Sequence, residues 1–129
     1  MKIIDILNSR ESLAKLNKIK FNDFKVVSSI YKLTKKVNEV LDMVQQEQQK
    51  IINLYVKKDD NGKIVVANNQ YQFDNNENRI KFIKDMESLK QSNIDDIQKI
   101  DISMSKIQNG AELTGEELIK LEPLINWID

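Results

Sequence analysis

Cysteine and histidine are both absent from the 129 residues. Their absence excludes disulfide scaffolding, thiol nucleophiles, imidazole bases and the usual zinc and iron–sulfur ligand sets. Arginine occurs only at Arg10 and Arg79. The side chain best suited to bidentate recognition of phosphates and bases is thus almost missing, and sequence-specific DNA binding is not expected. The three glycines, Gly62, Gly110 and Gly115, stand apart, so no glycine-rich phosphate loop is available. No apolar run approaches the roughly 20 residues that cross a bilayer. Met1–Leu7 is too short and too interrupted for a signal peptide, so a cytoplasmic protein is expected.

What remains is helix-leaning and ordered. One proline, 40% hydrophobic and 31% charged residues describe a folded chain with little punctuation, and the length predicts a single domain over residues 1–129. Isoleucine, lysine and asparagine supply 18, 18 and 14 residues, the bias of an AT-rich coding sequence. Formal charge is zero overall but divided: residues 1–58 carry 12 basic and 6 acidic side chains (+6), and residues 59–129 carry 8 and 14 (−6). Opposed halves are expected to attract each other across the fold, or to give the surface one anion-attracting end.

The pattern predicts an α+β fold, mainly helical, with one long amphipathic helix and a small antiparallel sheet made of a hairpin plus one or two further strands. Lys2–Leu7 reads as a short strand, followed by a capping box at Asn8–Glu11 and a helix carrying Leu13, Leu16 and Ile19. Asn22 and Asp23 mark the next cap. From Asp23 to about Lys57 there is neither proline nor glycine. Ile30, Val37, Val44 and Ile51 recur seven apart, with Leu33, Val40 and Leu54 in a second row. Residues 45–50 are polar on every face, so there the helix is solvated all round, touches a polar partner, or bends. Asp59–Gly62 forms a turn, and 63–66 with 70–73 a hairpin. Asp74, Asn75 and Asn76 cap a helix bearing Ile80, Phe82, Ile83, Met86 and Leu89. Gln98–Ser103 alternates as a strand. Thr114–Glu117 is a second capping box, after which Pro123 kinks the helix or starts a second turn. The apolar tail Leu124–Ile128 is expected to dock on the core.

Candidate chemistry is sparse. Asp59, Asn61 and Gly62 suggest a calcium loop, but a glycine in sixth place puts Lys57 and Asn68 at positions that need carboxylates. Asp95, Asp96 and Asp101 are read as solvated aspartates beside an edge strand rather than an acid–base pair. The serines have neither a histidine base nor a nucleophile elbow. No catalytic residue, cofactor or metal site is therefore assigned, and an enzyme is not expected. Lys25, Lys32 and Lys36 share one face of the long helix. With Ser29, and Tyr31 for stacking, they are the candidate anion-binding residues.

Helix length supplies a second candidate. Thirty-five helical residues span about 52 Å, whereas a compact domain of this size is roughly 36 Å across. Either the helix bends, or it projects and presents Ile51, Ile52, Leu54 and Tyr55 as candidate partner-binding residues. A second copy in antiparallel register would cover them, as would residues 76–91 folding back within one chain.

The order of these elements resembles a family of short uncharacterised proteins encoded by phages and prophages of low-GC bacteria. The resemblance covers most of the chain. It rests on the opening Met1–Glu11, the long helix, the run Tyr55–Lys63 and the closing Leu113–Ile125. It implies a phage-encoded accessory protein in the host cytoplasm, without an activity to carry over. The expected function is binding a host or phage protein without catalysis, interference with a host defence system such as a CRISPR effector being the specific form. The alternatives are sequestration of an anionic nucleotide signal at a lysine-lined dimer cleft, and a virion structural or assembly role.

Overall fold

A computed structural model describes residues 1–107 and 113–128. Among these there are four α-helices: α1 (Ile3–Leu16), α2 (Phe24–Tyr55), α3 (Asn76–Gln91) and α4 (Gly115–Leu121). Strands β1 (Val66–Ala67) and β2 (Gln70–Tyr71) precede α3, and β3 (Ile100–Ser103) and β4 (Ile125–Ile128) flank α4. The α+β class, the helical majority, the long helix and the hairpin are as the pattern predicts. The chain divides into two compact units, Met1–Leu41 with Asn93–Asp129, and Asp42–Ser92.

In the first unit the expected opening strand is instead the start of α1. Ile3, Ile6, Leu13 and Leu16 are buried together with Ser9 and Ser12, a helical spacing that the run of four apolar residues near the start disguises. Lys2 has no side-chain oxygen with which to cap. The Asp5 carboxylate does half of that work by accepting from the Lys2 backbone N–H at 2.9 Å. The expected capping box at Asn8–Glu11 therefore lies in the middle of a helix. Ser9, buried there, donates its hydroxyl to the Ile6 carbonyl at 2.9 Å. Asn17 closes the helix by donating its side-chain amide to the Leu13 carbonyl at 2.9 Å. Asp23 then caps α2, its Oδ1 accepting from Lys25 N–H at 2.9 Å.

The first part of α2 buries Val26, Ile30, Leu33, Val37 and Val40 in this unit, alternating steps of four and three that keep one stripe inward. Strands β3 and β4 pair in parallel, Ile100 with Ile125 through Ser103 with Ile128. The strands beyond the hairpin thus form their own sheet. Parallel neighbours need a crossover, and α4 lies in it. Thr114 caps α4 by accepting from Glu117 N–H at 3.2 Å, while the Glu117 carboxylate turns to α1, receiving Lys15 Nζ at 2.8 Å. Pro123 lies beyond the helix, in the turn that leads into β4. Leu121, Leu124, Ile125 and Ile102 are wholly inside, so the tail docks as expected, in the form of a strand.

The second unit begins inside α2, which runs unbroken through Gln45–Lys50. Its 32 residues make about 48 Å of helix. Gln45, Gln46 and Gln49 are exposed and Glu47 is half-buried, with Lys50 paired to Glu47 at 3.0 Å. Two tight turns follow. Asp59 organises the first, its Oδ1 accepting from the N–H groups of Asn61 and Lys63 at 2.8 and 2.9 Å, with Gly62 at φ 77°. Asn68 and Asn69, at φ 54° and 61°, make the two-residue turn between β1 and β2, a type I′ geometry that asparagine tolerates. Asn75 Oδ1 accepts from Asn78 N–H at 2.8 Å and starts α3.

Candidate functional site

Among the described residues, two of the grooves that lie within single units draw their walls from more than one element. In the first unit, Ser29, Lys32, Leu33 and Lys36 of α2 meet Asp96, Ile97, Gln98 and Ile100 around a shallow groove of about 250 Å³. Leu33 and Ile97 are buried and set its floor. Three of the five anion-binding candidates are therefore brought together. Lys25 and Tyr31 are not part of the lining. Tyr31 is 65% exposed, one residue before Lys32 and hence about 100° round the helix from it; Lys25 lies seven residues before Lys32, two turns along the axis. Lys36 also faces Glu39 at 3.8 Å, and Asp96 sets a carboxylate opposite the lysines, so the groove is only weakly cationic.

The remaining acidic candidates do not converge. Asp101 accepts from the Asn126 side chain across β3 and β4 at 3.1 Å, and Asp95 is exposed. Among the described residues no group of three or more Asp, Glu, His or Cys is placed to hold a metal. Between the sequence halves, Lys15 pairs with Glu117 at 2.8 Å, and in the opposite sense Lys106 pairs with Asp23 at 3.9 Å. Burial tends to raise the Glu117 pKa, but the hydrogen bond from Lys15 outweighs it and holds the carboxyl below its ordinary value.

In the second unit the partner-binding candidates are divided by their surroundings. Ile51, Ile52 and Tyr55 are half-buried, and Tyr55 donates its hydroxyl to Asp85 Oδ2 of α3 at 2.8 Å. Residues 76–91 thus fold back onto this end of α2. Leu54 stays 69% exposed.

The larger groove lies here, with a volume of about 660 Å³. Its apolar lining is Tyr71, Phe73, Phe82 and Ile83. Phe82 is central: its ring sits 5.8 Å from Tyr71, edge-on, and 5.3 Å from Phe73, tilted, the offset contacts aromatic quadrupoles favour. The polar lining is five amides, Asn69, Gln70, Gln72, Asn75 and Asn76, with Arg79 the charged member. Asn76 Oδ1 fixes the guanidinium by accepting from its Nε and Nη2 at 2.9 and 2.8 Å, which leaves Nη1 for another acceptor. Gln72 Nε2 turns back to the carbonyls of Ala67 and Gln70 at 3.3 and 3.2 Å.

Sequence reading missed this groove. Its residues come from the hairpin and from α3, and their amides read locally as turn and cap chemistry. The available signal was Arg79, one of two arginines in a lysine-rich chain.

No protein-family model, curated protein or solved structure matches the chain. Among the described residues no helix is long and apolar enough to cross a membrane.

Proposed function

We propose that this chain is a non-catalytic phage accessory protein that binds a protein partner in the host cytoplasm, with a component of a host defence system as the specific target class. The observation that carries this reading is the second unit's groove. Three aromatic rings and an isoleucine are bordered by amides and a fixed guanidinium. The described lining side chains are aromatic, aliphatic, amide and guanidinium groups, which equip the groove for apolar contact and hydrogen bonding. Tyrosine, phenylalanine and arginine are also the side chains enriched where proteins recognise one another. The test is affinity capture from infected host cells with the wild type and Ile83→Glu, whose site is 53% exposed, the fold of the variant being checked by circular dichroism. A specific partner lost with Ile83→Glu supports the reading. Equal capture by both chains, or recovery of the bait alone, overturns it.

A second reading follows from the meeting of Ser29, Lys32 and Lys36: an anionic nucleotide held at the first unit's groove, with a second copy completing the cleft. Calorimetry with cyclic nucleotides tests it. Heat that disappears with Lys32→Glu/Lys36→Glu supports the reading, and no heat at millimolar ligand removes it. Sedimentation tests the second copy, since a strict monomer removes the dimer cleft.

A further inference from the structure

The hairpin register determines which backbone groups of β2 are left open. Ala67 faces Gln70 across the two-residue turn, and Val66 faces Tyr71. In such a turn the flanking residues form the hydrogen-bonded pair, the next two the open pair, and bonding resumes one step further on. Gln72 N–H donating to the Val65 carbonyl at 3.2 Å is that next bonded step. The Tyr71 N–H and C=O therefore point away from β1, toward the free edge of β2. The groove touches every residue from Asn69 to Phe73. Of these, Gln70 and Tyr71 are β2 itself, whose neighbouring side chains point to opposite faces, so the groove borders the main chain of β2 as well as its side chains. Phe82, Ile83 and Arg79 of α3 line the same groove, with the Phe82 ring against those of Tyr71 and Phe73. An unpaired strand edge facing an apolar helix side is the arrangement that accepts an added strand.

We propose that this groove takes an extended peptide, added to the edge of β2 as a further strand and carrying a carboxylate to Arg79; the proposal rests on the second unit being the partner-binding one. The peptide backbone bonds Tyr71, and alternate side chains rest on Tyr71, Phe82 and Ile83. Among the described residues of the lining Arg79 is the charged one, and its guanidinium is already oriented by Asn76. An acidic side chain or a terminal carboxylate thus gains a charge-assisted bond with little further ordering.

The experiment presents a randomised octapeptide library to the purified full-length chain and sequences the bound pool. The expected pool is enriched in one acidic position among alternating β-branched or aromatic residues. The best peptide, resynthesised, shifts the Tyr71 amide resonance and binds roughly tenfold more weakly to Arg79→Gln. N-methylation of the backbone amides facing β2 abolishes its binding, as strand addition requires. A pool without acidic preference, binding indifferent to N-methylation, or the absence of any bound peptide overturns the proposal. Its failure is separable from failure of the broader reading. If no peptide behaves as described while Ile83→Glu still abolishes capture of a folded partner, strand addition falls and partner binding stands. If Ile83→Glu leaves capture unchanged, partner binding itself falls.

Discussion

The phenol of Tyr55, at the last position of α2, donates to the Asp85 carboxylate of α3 at 2.8 Å. That bond holds the end of the long helix to the helix that folds back along it. It also raises the Tyr55 pKa above its ordinary 10.0, first because the hydrogen bond favours the protonated phenol, then through desolvation and the nearby Asp85 charge. A group whose pKa rises on folding stabilises the fold fully below its unfolded value and loses that contribution as pH climbs through the folded one. Tyr55→Phe should therefore unfold more readily than wild type at neutral pH, and the two melting curves should converge above pH 10. Thermal melts of both chains between neutral and strongly alkaline pH check this.

Acid acts on the first unit. Lys15 holds the Glu117 carboxyl below its ordinary 4.5, with smaller help from Thr114. The contribution is present above that ordinary value and is lost as pH falls through the depressed one. Glu117→Gln should be less stable than wild type at neutral pH, with the difference shrinking as pH falls below the ordinary 4.5 and through the depressed value. Urea titrations at stepped acidic pH measure it.

Burial separates two superficially similar aliphatic residues. Ile102 is fully enclosed and Leu54 is 69% exposed. Ile102→Ala should cost about 2–5 kcal/mol through lost transfer energy and a residual cavity. Leu54→Ala should stay within about 0.5 kcal/mol of wild type. Chemical denaturation of the two variants gives both values.

Gly62 has φ +77°, and nothing lies within 4 Å of where a Cβ would be. A side chain there meets no neighbour, so the cost of Gly62→Ala is conformational alone, about 1–2 kcal/mol. The same denaturation measurement tests it. A neutral result would mean that the turn has relaxed to another backbone geometry.

Where sequence signals were local, they were readable. Asn75 and Thr114 start their helices by accepting from the third residue onward, as their positions before apolar runs suggest. The turns at Asp59–Gly62 and Asn68–Asn69 announce themselves by composition. Ile3, Ile4, Ile6 and Leu7 misled because four apolar residues in five fit a buried strand as well as the first turns of a buried helix. Only packing against the rest of the unit decides between them. Strand β4 was hidden because its partner β3 is 25 residues earlier at each register position, as in Ile100–Ile125; periodicity carries no information about such pairing. The convergence of Lys32 and Lys36 with Asp96 was invisible for the same reason. The larger groove was hidden differently, since each lining amide has a sufficient local explanation.

The unit containing the larger groove is one uninterrupted stretch, Asp42–Ser92, set between the two portions that make the other unit. Contacts between α1 and α4, such as Lys15–Glu117 at 102 residues' separation, must close across that whole insertion. Loop-closure entropy therefore favours early assembly of the inserted unit. On a ribosome it is complete in sequence once Ser92 emerges, whereas the surrounding unit waits for β4. Every residue of β2 and α3 has thus been synthesised before α4, the partner of α1, exists, so the order of emergence runs from the inserted unit to the one that surrounds it in sequence.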